Sequence, residues 1–150
     1  MTKNILNLQI ICKSNNIPNK LTFQNWIKTI LSYFQIKGQI TIRLVNEKES
    51  YDLNLRYCGK SKPTNVLAFP FEKPFWIELP LLGDLVVCMP ILEIEAIEQG
   101  KNIEFHLAHI IIHGTLHLIG YNHNKLSQAK KMEATEIKIM SILGYPNPYI

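Results

Sequence analysis

Apolar residues recur along this chain in two different rhythms. Leu21 to Ile36 places Phe23, Trp26, Ile27, Ile30, Leu31 and Phe34 at helical spacing, with Gly38 just beyond, and predicts an amphipathic helix. From 39 to 46, Ile40, Ile42 and Leu44 alternate with Gln39, Thr41 and Arg43, the period of a half-buried strand. Ile5, Leu6, Leu8, Ile10 and Ile11 form an earlier strand that ends in a turn-like stretch, 14–19. A short helix is expected at 47–57, a loop at 58–64 and a strand at 65–69 stopped by Pro70. Residues 74–80 are expected to be irregular or an edge hairpin, because their prolines cannot serve a central ladder. Residues 85–88 read as a short buried strand, and 90–99 as a helix with proline in its first turn and Gly100 past its end.

Two more helices close the pattern. Residues 103–119 are apolar nearly all round, as in a central buried helix, and Gly120 stops it. Residues 127–143 are amphipathic through Ala129, Met132, Ile137 and Met140, and Gly144 ends them. Strands and helices mix without strict alternation and no repeat or linker divides the chain. The expected class is therefore α+β, a single domain over 1–150 with one mixed β-sheet packed by several helices.

Composition changes this picture little. Sixteen Lys and Arg against twelve Asp and Glu leave a charge of +4, which favours an anionic partner without identifying one. Cys12, Cys58 and Cys88 are odd in number and lack C-x-x-C pairing, so neither a disulfide framework nor a thiolate zinc site is expected. Reduced thiols suit a cytoplasmic protein. The N-terminus shows no signal-peptide pattern, and the apolar stretch 79–92 is interrupted by Pro80, Asp84 and Pro90, so no membrane partner is expected.

Chemistry enters with the histidines, all five of which lie between 106 and 123. His113 and His117 stand four apart, on one helix face and close enough to share a metal ion. Gly120 permits a sharp turn that returns His123 toward the same ion. Three imidazole ligands leave one tetrahedral position for water, the pattern of a catalytic zinc site. His109, one turn earlier, is placed to hydrogen-bond a ligand or a substrate phosphate. His106 reads as merely packed or solvated. The spacing equals that of the H-E-x-x-H-x-x-G-x-x-H metalloproteases, yet Gly114 occupies the place of their general-base glutamate, which disfavours a peptidase. Zinc lowers the pKa of a water it binds toward ~7 and so provides a nucleophile without that carboxylate. A phosphodiester fits this geometry and the mild positive charge.

The run H-G-T-L-H-L-I-G-Y-N-H from His113 to His123 resembles the H-G-x-L-H-L-x-G-Y-D-H signature of the YbeY family of bacterial endoribonucleases. Leu53 to Pro70, L-N-L-R-Y-C-G-K-S-K-P-T-N-V-L-A-F-P, is similar to the family's L-N-x-x-Y-R-x-K-D-x-P-T-N-V-L-S-F-P, and Leu82 to Cys88 resembles its L-G-D strand. Met132, Glu133, Glu136 and Leu143 to Tyr145 fit its last helix. The resemblance implies a zincin-like histidine helix and a zinc-dependent endoribonuclease specific for single strands. It implies work in the cytoplasm on ribosomal RNA, at the 3′ end of the small-subunit RNA and in ribosome quality control. The partners implied are single-stranded rRNA and the small ribosomal subunit, with no DNA. One Zn2+ per chain falls to His113, His117 and His123. The catalytic candidates are His113, His109 and Arg56, and the substrate-binding candidates Lys60 and Lys62. Three positions depart from the pattern: Cys58 replaces an arginine taken to hold the RNA phosphate, Ser61 an aspartate, and Asn122 the aspartate before the last histidine. A thiol lacks the planar fork of donors, so Arg56, two residues earlier, is the candidate substitute. Alternatives are a ribosome-associated zinc protein with weakened or lost nuclease activity, and a hydrolase of another bond.

Overall fold

In the computed structural model, which describes residues 5–72 and 81–150, the alternating segments become one four-stranded sheet. The elements run β1 (Leu6–Ile10), α1 (Lys20–Tyr33), β2 (Gln39–Val45), α2 (Glu47–Cys58), β3 (Val66–Pro70), β4 (Leu81–Cys88), α3 (Met89–Gln99), α4 (Ile103–Ile119) and α5 (Leu126–Ile142). The strand order is β1-β2-β4-β3. β2 pairs parallel to both β1 and β4, whereas β3 runs antiparallel on β4. The sheet is mixed, as the lack of strict alternation implies, and the fold is a single-domain α+β.

The period of two decides what each sheet face meets. Leu6, Ile40, Ile42, Leu44, Leu85 and Val87 point into the main core, which they share with Trp26, Ile27 and Ile30 of α1 and with Leu107, Ile111 and Leu116 of α4. The opposite face carries Gln9, Thr41, Arg43 and Asp84 and is partly covered by α2, where Leu53 packs on Val45, Leu67, Val86 and Cys88. Apolar residues all round α4 reflect its position: it lies on β3 and β4 and touches α1, α3 and α5. The Asn102 side chain starts it by accepting from the backbone N–H groups of Glu104 and Phe105 at 2.9 and 3.3 Å.

Local signals shift several boundaries. Asn19 accepts from Thr22 N–H at 3.0 Å, so α1 begins one residue before its first apolar position. It ends by Phe34, because Gln35 adopts a left-handed conformation with φ 54°. Cys58 is the last residue of α2 rather than loop, with Gly59 as its left-handed cap. β4 begins at Leu81, four residues earlier than the apolar run suggests, because its polar Asp84 pairs between Thr41 and Phe69 on the less covered face. The expected irregular segment 74–80 lies outside the described residues. Among those described, no helix is long and apolar enough to cross a membrane.

Candidate metal centre

The site is built on the C-terminal half of α4. His113 and His117 project from one face, and their rings meet edge to face with centroids 4.7 Å apart. Gly120 then takes φ 117°, and Tyr121 N–H returns to the Leu116 carbonyl at 2.9 Å, closing the helix. This reversal brings the His123 ring to 5.8 Å from that of His113 and 5.1 Å from that of His117. One ligand nitrogen from each of the three lies within 4.8 Å of the others.

Hydrogen bonds decide which nitrogen each of the first two rings offers. His113 Nδ1 lies 3.2 Å from Glu136 Oε2, and His117 Nδ1 lies 3.1 Å from the Tyr121 carbonyl oxygen. A carbonyl only accepts, and so does an ionised carboxylate, so both Nδ1 atoms donate their hydrogens. In the neutral rings both Nε2 atoms therefore carry lone pairs, and these face each other across 3.2 Å. Two converging lone pairs repel unless a proton or a metal ion lies between them. Ligands at ~2.0–2.1 Å from a tetrahedral zinc stand roughly 3.3 Å apart, so the observed separation fits that ion. Burial, with the neighbouring His113 adding to it, pushes the His117 imidazole below its ordinary pKa and so favours the neutral form that a metal requires.

Glu136, on α5, is 1% exposed and sits behind His113. Burial alone would raise its pKa, but hydrogen bonds from His109, His113 and Tyr149 more than offset this and hold it at about 2. His109 Nε2 lies 2.5 Å from Glu136 Oε1, so this predicted site residue reaches the triad through the carboxylate rather than directly. Glu136 entered the sequence reading only as part of a matching last helix. A signal for it existed. It shares the buried stripe of α5 with Met132, Thr135, Ile139 and Met140, where a lone carboxylate needs a partner. Tyr149 carried no such signal.

The other sequence candidates lie on α2 and in the loop after it. Arg56 is exposed on α2 with its guanidinium 5.7 Å from the centre of the Tyr57 ring. Lys60 and Lys62 are exposed in the following loop, which Asn54 braces by donating to the Lys62 carbonyl at 2.8 Å. No hydrogen bond or ion pair joins these three to the triad among the described residues. His106 is buried and bonds Glu95 at 2.9 Å rather than any residue of the triad. Gly114 faces the sheet: a Cβ there would stand 2.9 Å from Leu85 Cδ2 and 3.3 Å from Val66 Cγ2. A side chain at this position would push into Leu85 and Val66 on the sheet, which would have to give way to admit a carboxylate there.

Two comparisons relate this chain to known proteins. The solution structure of TM1509 from Thermotoga maritima is similar over 91% of this chain and 91% of its own, with 24% identity and a TM-score of 0.57, a likeness of fold. The model of the endoribonuclease YbeY family matches residues 8–144, which include β2, β3, β4 and all three histidines of the triad. With its histidine helix, its mixed sheet and nearly its whole length covered, the chain belongs to the YbeY endoribonuclease family.

Proposed function

We propose that the chain is a zinc-dependent endoribonuclease specific for single strands, acting in maturation of the 3′ end of small-subunit ribosomal RNA and in ribosome quality control. The observation that carries the metal is the pair of Nε2 atoms converging to 3.2 Å, with His123 closing the third side. His113, His117 and His123 would hold one zinc ion, which supplies Lewis acidity for phosphodiester hydrolysis when bound. The residues of the chain do the rest. Tyr121 and Glu136 fix the ligand tautomers, and His109 steadies Glu136. Arg56, Lys60 and Lys62 contribute positive charge for the RNA backbone at the exposed end of α2. Free thiols at Cys12, Cys58 and Cys88 accord with a cytoplasmic setting.

A second reading rests on Cys58. It is exposed at the end of α2, where the family pattern has an arginine, and it offers a phosphate no fork of donors. This favours a ribosome-associated zinc protein of reduced nuclease activity. Zinc-loaded protein incubated with single-stranded and duplex ribosomal RNA, beside His113→Ala, separates the readings. The endoribonuclease cleaves the single strand and His113→Ala does not. Equal cleavage by both proteins sinks the enzyme reading. Zinc bound without cleavage favours the second.

A further inference from the structure

The segment after α5 returns to the metal site. Gly144 turns the chain with φ 89°, and Tyr145 N–H caps the helix on the Met140 carbonyl at 2.9 Å. Lys101 Nζ donates to the Pro148 carbonyl at 3.0 Å, and Tyr149 N–H donates to Asn147 Oδ1 at 2.8 Å. These bonds bring the Tyr149 ring edge-on to His109, with centroids 5.3 Å apart. Its hydroxyl donates to Glu136 Oε1 at 2.7 Å. Tyr149 lies beyond the residues 8–144 that match the family model.

The carboxylate of Glu136 is thus held by division of labour. Oε1 accepts from two groups, His109 Nε2 and Tyr149 Oη, which fixes the rotation of the carboxylate plane. Oε2 is left for His113 Nδ1. Burial and the adjacent Glu136 push the Tyr149 hydroxyl far above its ordinary pKa, so it remains a donor wherever the protein is folded. We infer that Tyr149 is a positioning residue for the metal ligand His113, acting through Glu136, so that the C-terminal segment forms part of the metal site's support. This rests on the reading of the triad as a metal site. Without the tyrosine hydroxyl, Glu136 loses one of the two bonds that orient it, and the ring of His113 loses a fixed acceptor.

Cobalt(II) is a suitable probe, because its visible spectrum reports ligand geometry. Tyr149→Phe keeps the ring against His109 and removes only the hydroxyl. Such groups behind a ligand typically change metal affinity by ~10–100-fold, and one step further out about tenfold or somewhat less is expected. Tyr149→Phe should retain the wild-type circular dichroism, bind cobalt several-fold more weakly in competition with a chelator, and shift the cobalt bands. Glu136→Gln should do more. The double variant should fall no further than Glu136→Gln alone, because both act along one route. Lys101→Met, which releases the Pro148 carbonyl, should move affinity in the same direction. Wild-type affinity and spectrum in folded Tyr149→Phe and in Lys101→Met overturn the inference, and so does strict additivity in the double variant. Cobalt binding no stronger in wild type than in His113→Ala overturns the metal reading itself, and the inference with it.

Discussion

Position 58 is where single residues bear most directly on activity. Cys58 is exposed at the last residue of α2, so exchanging it for arginine disturbs little packing and should leave stability within about 0.5 kcal/mol. A charge-assisted bond from a guanidinium to phosphate is worth roughly 1.5–3 kcal/mol, so Cys58→Arg should raise RNA cleavage about tenfold. An unchanged rate in a single-turnover assay would mean that Arg56 or a lysine already holds that phosphate. At the other end of α2, Arg43 of β2 grips Glu49 with two bonds of 2.6 and 2.9 Å. The hydrogen bond from Arg43 holds the Glu49 carboxyl below its ordinary pKa, against the opposing effect of burial. Its contribution is therefore complete above the unfolded-state value and fades as pH falls through the lower folded one. About a third of each side chain is exposed, which limits the pair to about 1 kcal/mol. Urea titrations should show Glu49→Gln less stable than wild type by that amount at pH 7, with the gap closing in acid. A gap constant down to pH 2 would contradict the assignment. At this scale the sequence pointed to the histidine cluster but not to the groups behind it. Histidines at i, i+4 with a third beyond a glycine declare themselves, whereas Glu136 and Tyr149 meet His109 only through tertiary packing.

Helices and strands were legible wherever one face is buried and the other wet. The alternation of 39–46 and the stripe of α1 became β2 and α1 with small shifts, because burial on one face fixes both period and register. Boundaries set by a single polar group were harder to read: Asn19 extends α1 backward, and the pairing of Asp84 lengthens β4. α4 shows what tertiary contact adds. Its apolar surface announces a buried helix, but only the sheet beneath explains Gly114. An added Cβ there presses on Leu85, so Gly114→Glu should destabilise the protein by at least the ~1–3 kcal/mol of overpacking, with the buried carboxylate adding to it. Chemical denaturation measures this. The variant should also show no peptidase activity, since its carboxylate would face the sheet and not the ligands. A fully stable variant would mean that Leu85 and Val66 yield to the added side chain.

A metal held by the triad would be coupled to the stability of the whole molecule. The three histidines come from α4 and the turn after it, the groups bonded behind them from α5 and the C-terminal segment, and α4 packs on the sheet as well as on three helices. An ion bound there joins parts distant in sequence, and it binds the folded chain in preference to the unfolded one. At a free zinc concentration 100 times the dissociation constant, this linkage stabilises by ~2.7 kcal/mol. For a chain of this size that corresponds to a rise of roughly 5–10 °C in Tm. Scanning calorimetry should show that rise on adding zinc to metal-free protein, and its reversal by a chelator. His113→Ala should show neither, although its metal-free Tm should lie close to that of metal-free wild type or above it. The reason is local: removing one of two imidazoles whose lone pairs oppose each other at 3.2 Å relieves a repulsion that only a cation otherwise resolves. The same substitution frees Glu136 Oε2 of its partner, which works in the opposite direction. A zinc-dependent rise that persists in His113→Ala would place the ion elsewhere, whereas its absence from wild type would remove the metal from the proposed chemistry.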